Sequence, residues 1–290
     1  MTAVPKFKLN TGALIPAVGL GGWSGTTKEQ HAQATTWMLT AIKSGYRHID
    51  TAWAYGTEKY VAEAVQLSGI PREEIWITTK LPWSHPGLKT AEESLDESLK
   101  NLDTSYVDLR RKSDIDEDEG PEYQGPVKIR TNAPSFNETW AQIEELHKKG
   151  KAKNIGVSNF SVKNLEKLFK TAKITPAVNQ VDHAKEVDSS RSPVKFTGWD
   201  IVRSDPTIVE LAEKYKVSPA QIILAWHLGR GIAVVPKSSN ASRQRDNLNL
   251  PTLSPEDVQH VTALNRNQRL CNKPDENGMV GGWTVEEMGW

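Results

Sequence analysis

Segments that read as strands alternate with segments that read as helices along most of this chain, and that alternation constrains its fold more than any other feature. Strand-like stretches fall at 46–52 (YRHIDTA), 75–81 (IWITTKL), 106–109, 154–159, 177–181 and 232–236, with a weaker one at 248–250. Helical patterns lie between them. Ala34, Trp37, Met38, Ala41 and Ile42 recur at i, i+3, i+4, i+7 and i+8, which gives one apolar stripe. Ser218-Pro219-Ala220-Gln221 is a capping box with Pro at the first helical position, and Ser254-Pro255 opens a last helix. Such alternation implies a parallel sheet covered by helices. A closed barrel needs eight units and about 250 residues. The expected fold is therefore α/β, a (β/α)8 TIM-type barrel formed as one domain over residues 1–290.

Composition excludes other classes. The chain has 36 Lys+Arg against 36 Asp+Glu, so it lacks the basic surplus of a nucleic-acid binder. No apolar run approaches the roughly 18–20 residues of a membrane span, and MTAVPKFKLN does not read as a secretory signal. Its one cysteine, Cys271, cannot form an internal disulfide, which fits a reducing compartment. A cytoplasmic location is expected, with no nucleic-acid or membrane partner; the oligomeric state stays open. The seven His show no paired metal spacing, so no metal is expected.

In a parallel barrel the C-terminal strand ends build the site. Here those ends carry Asp50, Lys80, Ser158 with Asn159, Gln180, and Lys237 with Ser238, while Tyr55 lies five residues past Asp50. A free phenol ionises near pH 10, which makes Tyr a weak acid near neutrality. An adjacent Lys cation favours the phenolate, and an Asp keeps that ammonium charged and aimed. Tyr55, Lys80 and Asp50 thus read as a group able to protonate a carbonyl oxygen.

The motifs GYRHIDTAWAYG, ITTKL, GVSNF, VNQ and VPKS, together with the ending GGWTVEEMGW, resemble the aldo-keto reductase superfamily, fungal members included. The resemblance implies NADPH-dependent reduction of a small-molecule aldehyde or ketone to an alcohol. It implies Tyr55 as proton donor, with Lys80 and Asp50 completing three of a catalytic tetrad. It further implies that Ser158, Asn159 and Gln180 hold the nicotinamide carboxamide. Lys237, Ser238, Arg243 and Asn247 match the stretch holding the 2′-phosphate and adenine, where a Lys point charge and an Arg fork suit one phosphate. Gly22 and Trp23 match the loop lining the nicotinamide and substrate pocket.

Two segments depart from the family. Its third strand runs apolar into a His, the fourth tetrad member; here Leu109 is followed by RRKSDIDEDE, and no His occurs between His85 and His147. That run is read as a solvated loop. The family's sixth strand carries an aromatic that stacks on the nicotinamide; between Gln180 and Asp205 the chain is short and lacks Tyr, with Trp199 as the aromatic candidate. The sixth unit is therefore incomplete or irregular unless Val194 to Phe196 supplies its strand. Both breaks are abrupt between matching flanks, which reads as segmental loss. Without the His, proton transfer loses an effect of about 10²–10⁴ in rate. The alternative function is a nucleotide-binding barrel with little or no reductase activity. Gly19-Leu20-Gly21-Gly22 lacks the G-x-G-x-x-G setting and is read as a turn, His48 as a core or supporting histidine, and Cys271 as inert.

Overall fold

The computed structural model describes residues 4–81, 90–113, 135–181, 202–265, 276–280 and 283–286. A hairpin of β1 (Lys6–Lys8) and β2 (Leu14–Pro16) opens the chain. Six parallel strands follow in sequence order: β3 (Leu20–Gly21), β4 (His48–Asp50), β5 (Trp76–Leu81), β6 (Leu109–Ser113), β7 (Ile155–Ser158) and β8 (Asn179–Gln180). Val234 pairs in parallel with Val18, and Gly21 N donates to Pro236 O at 3.0 Å. The last parallel segment thus lies beside the first. That circular order, with helices between successive strands, is the (β/α)8 architecture expected. Residues 182–201, with Val194 to Phe196, His183 and Trp199, lie outside the described residues, as do Asp114–Glu119 and Cys271.

The helices form where the periodicity places them. In α2 (Ala34–Lys43) the five residues of the predicted stripe are the buried ones. Ser218 caps α8 (Pro219–Gly229), and Ser254 caps α10 (Pro255–Ala263). The outward strand residues Leu20, Ile49, Ile77 and Val157 pack with Met38, Val61, Leu95 and Trp140 in the main core. Each such burial contributes roughly 1.5–3 kcal/mol relative to exposure. Ile15, Trp76 and Leu109 form a second cluster with Phe7 and Leu9, so the hairpin covers the N-terminal side of the strands.

Three expectations are corrected. The segment Gly19 to Gly22 is no turn: Leu20–Gly21 is the first parallel strand, and its glycines serve close approach. A Cβ on Gly19 would lie 2.6 Å from His48 Nδ1. The candidate strand at 248–250 is instead the end of α9 (Ala241–Leu248) and the residues after it.

The largest correction concerns RRKS. The strand does not end at Leu109; it runs through Arg110, Arg111, Lys112 and Ser113, paired with β5 on one side and β7 on the other. Arg110 and Arg111 are fully buried. A charge run predicts solvent only when nothing offers it partners, and alternation splits this one between two faces. Arg110 faces α4 (Ala91–Asn101), donating to Ser94 Oγ at 2.9 Å and Ser98 Oγ at 3.4 Å. Burial pushes its guanidinium down to about 10, with the Glu58 carboxylate opposing. Arg111 faces inward.

Candidate active site

Parallel pairing puts every strand's C-terminal end on one side, and the candidate residues gather there. Asp50 ends β4 and Lys80 is the fifth residue of β5. Tyr55 closes a 3-10 turn, Trp53–Tyr55, which Gly56 terminates in the left-handed region at φ 61°. The structure brings these three together. Lys80 Nζ donates to Asp50 Oδ1 at 2.7 Å, to Tyr55 OH at 3.0 Å and to the Thr51 carbonyl at 3.0 Å. The ammonium also lies 4.4 Å from the Tyr55 ring centroid. Its three donors are thus all engaged, and its position is fixed between the acid and the phenol.

A fourth residue belongs to this cluster. Arg111 Nη2 donates to Asp50 Oδ2 at 3.0 Å, so the carboxylate meets a cation on each oxygen. Burial alone would push the Asp50 carboxyl up; Lys80 and Arg111 outweigh it and hold the group below the usual carboxylate range. Beneath Asp50 on the same strand, His48 is pushed by burial down to about 4, against the pull of Asp50, and is neutral near pH 7. Its Nε2 lies 3.1 Å from Thr78 Oγ1 and its Nδ1 3.3 Å from the Pro16 carbonyl. Asp50 therefore faces two cations, Lys80 and Arg111. Sequence reasoning missed Arg111 because it ended the strand at Leu109. The available signal was register: β6 continued alongside β5 puts Arg111 beside Lys80.

The remaining candidates fall in three groups. Gly22 packs on the Asp50 segment, its N donating to Asp50 O at 2.7 Å; an added Cβ would stand 3.0 Å from that oxygen. Trp23 beside it is exposed. At the ends of β7 and β8, Ser158 Oγ donates to the Gln180 carbonyl at 2.9 Å, as does the Asn159 amide, Asn159 adopting φ 62°. The third group surrounds the start of α9. Ser238 is buried and accepts from Asn240 N at 3.1 Å, while Asn240 Oδ1 caps the helix by accepting from Arg243 N at 3.0 Å. Lys237 Nζ lies 5.4 Å from the Trp37 ring centroid. Asn247, one helical turn past Arg243, is buried beside the Tyr46 hydroxyl.

This donor set suits a phosphorylated dinucleotide. A helix N-terminus flanked by a Lys and an Arg favours a phosphate. The Asn247 carboxamide carries both donor and acceptor atoms of the kind a nucleobase edge pairs with. Hydroxyl, amide and carboxamide groups at Ser158, Asn159 and Gln180 match the polarity of a carboxamide. Among the described residues, no three His, Cys, Asp or Glu side chains stand together as a metal site, and no helix is long and apolar enough to cross a membrane.

Comparison with known proteins agrees with this geometry. The model of the aldo/keto reductase family matches residues 17–191 and 185–266, two segments that meet where the sixth strand unit is expected. A glycerol 2-dehydrogenase (NADP(+)) of Saccharomyces cerevisiae is 38% identical, over 89% of this chain and 90% of its own length. A protein of the same name from Hypocrea jecorina is 36% identical, over 98% of this chain and 100% of its own; that alignment spans 328 residues, more than this chain has. Among solved structures, an aldo-keto reductase of Bombyx mori in complex with NADP superposes with a TM-score of 0.76 at 28% identity, over 97% of this chain and 99% of that one. This chain belongs to the aldo/keto reductase family.

Proposed function

We propose that the protein is an NADPH-dependent oxidoreductase that reduces a small aldehyde or ketone to the alcohol, with Tyr55 as the proton donor. The observation that carries this reading is Lys80 Nζ placed between Asp50 Oδ1 and the Tyr55 hydroxyl. When bound, NADPH supplies hydride to the carbonyl carbon. Tyr55 gives its hydroxyl proton to the carbonyl oxygen, and the Lys80 ammonium, already at hydrogen-bond distance, stabilises the phenolate left behind. A proton from water then restores the phenol. Asp50 keeps Lys80 in place through the turnover. Gly22, Trp23, Ser158, Asn159 and Gln180 would hold the nicotinamide end, and Lys237, Ser238, Arg243 and Asn247 the phosphorylated adenosine end.

Relatives named glyoxal reductase (Bacillus subtilis, 33% identical) and methylglyoxal reductase (Escherichia coli, 33% identical) support a small carbonyl substrate. No observation favours the alternative of a barrel that binds nucleotide without reducing anything, although β6 carries no His. The neutral charge balance and single cysteine support a cytoplasmic protein, and the lack of repeats and long Gly/Ser linkers supports one domain.

The test pairs binding with turnover. NADPH is titrated against the fluorescence of the ten Trp, and carbonyl-dependent NADPH oxidation is followed for wild type and Tyr55→Phe. Saturable quenching in both, with turnover lost by about 10²-fold or more only in the variant, is expected. Quenching without wild-type turnover on any aldehyde or ketone offered would sink the reading.

A further inference from the structure

We propose that Arg111 is a positioning residue of the proton-donating group: it keeps the Asp50 carboxylate ionised and turned so that its other oxygen holds Lys80 on Tyr55. This rests on the reading of Tyr55 as proton donor. It goes beyond that reading because the strand that carries Arg111 is the one where the chain leaves the family's pattern.

The geometry is specific. A carboxylate is planar, and here each oxygen is committed: Oδ1 to Lys80 at 2.7 Å, Oδ2 to Arg111 at 3.0 Å. Holding both oxygens fixes rotation about the Cβ–Cγ bond, and with it the direction in which Lys80 is drawn. Arg111 is placed by its backbone, which pairs with Lys80 on β5 and with Gly156 on β7. Among the described residues the buried Arg111 Nε and Nη1 find no hydrogen-bond acceptor, and Asp50 is the side chain's polar partner there. A guanidinium buried on such terms is destabilising unless its ion pair compensates, and removing either partner leaves the other charge exposed to that penalty.

Electrostatics point the same way. Among the described residues, the charged and titratable groups facing Asp50 are His48 on its own strand, Lys80 from β5, Arg111 from β6, and Tyr55, reached through Lys80, from the turn after β4. His48 is neutral near pH 7, so Arg111 and Lys80 together oppose the effect of burial on the carboxyl. With Lys80 alone, Asp50 takes up a proton at higher pH and releases its grip on the ammonium. Arg111 therefore extends the range over which the proton donor stays assembled toward acid.

The experiment compares wild type, Arg111→Met, Arg111→Gln and Arg111→Lys as full-length protein. The measurements are kcat and KM across pH and NADPH affinity by Trp quenching, with Tyr55→Phe alongside. Arg111→Met is expected to lower kcat by on the order of tenfold to a hundredfold, with KM for the carbonyl and NADPH affinity near wild type. Its acidic limb of kcat should move up by about one pH unit, and Arg111→Lys should restore much of both. If Arg111→Met does not fold, Arg111→Gln is read the same way, since it keeps a donor for Asp50 but no charge. An unmoved acidic limb, or a loss of activity that Lys does not rescue, overturns the proposal and leaves Arg111 as packing. If Tyr55→Phe keeps wild-type turnover, it is the proton-donor reading that fails.

Discussion

Arg111 and Asp50 meet at 3.0 Å on the carboxylate oxygen that Lys80 leaves open. Asp50 is thus the shared counter-ion of two cations, and the inner face of the sheet holds together electrostatically around one side chain.

Replacing Asp50 by Asn leaves Lys80 and Arg111 facing each other without it. Breaking a buried pair in this way is destabilising by about 3–5 kcal/mol, read as a lowered midpoint of urea unfolding. Because the folded-state carboxyl is held below its usual range, its stabilisation is complete above the unfolded value near pH 3.9 and is lost as pH falls through the folded one. The stability gap between wild type and Asp50→Asn should therefore be full at pH 6–7 and shrink progressively below about pH 4. A gap that stays constant from neutral to acid pH would mean that ionised Asp50 contributes nothing to folding.

Arg110, on the opposite face of the same strand, predicts the reverse sign. Its hydrogen-bond partners are the Ser94 and Ser98 hydroxyls, its Nε finds no acceptor among the described residues, and burial penalises its charge. The nearby Glu58 keeps Thr79 Oγ1 at 2.7 Å and Asn101 Nδ2 at 3.2 Å without it. Serine hydroxyls freed in a helix can turn to a carbonyl of the preceding turn. Arg110→Leu should therefore raise stability by about 1–3 kcal/mol, seen as a higher midpoint in thermal and urea unfolding. A destabilised Leu variant would show that Glu58 depends on the guanidinium.

How much of this was legible beforehand follows from what each residue leans on. Ala34, Trp37, Met38, Ala41 and Ile42 were readable because an amphipathic helix writes its own period, and Asp50, Lys80 and Gln180 because each ends an apolar strand. Arg111 was not readable as an inner-face residue: its burial depends on Asp50, sixty-one positions away. Gly19 and Gly21 looked like turn residues because local chemistry favours glycine there too; what requires glycine is the closeness of His48 and Lys237. Polar or glycine-rich strands are specified by their neighbours, and periodicity does not see neighbours.

Gly19 tests that account. A methyl group there would stand 2.6 Å from His48 Nδ1 and 2.9 Å from Val235 Cγ1. His48 is held at both nitrogens and cannot swing away cheaply. Gly19→Ala should cost about 1–3 kcal/mol. In a His48→Ala background most of that cost should disappear, since the nearest clash has gone. Equal costs in the two backgrounds would place the strain at Val235 instead.

Arg243 tests the nucleotide end of the site. It sits in the first turn of α9, whose N-terminal amides already favour an anion, with Lys237 and Ser238 preceding the helix. NADPH differs from NADH by the 2′-phosphate, so a charge-assisted contact from the guanidinium acts on one cofactor alone. Such bonds contribute about 1.5–3 kcal/mol, so Arg243→Ala should weaken NADPH binding roughly tenfold to a hundredfold while leaving NADH nearly unchanged. Trp quenching with each nucleotide reads the ratio directly, without turnover. Lys237→Ala should show the same selectivity, with some added loss for both cofactors because the Lys237 ammonium also lies over Trp37. An equal loss for both nucleotides in Arg243→Ala would move the phosphate away from α9.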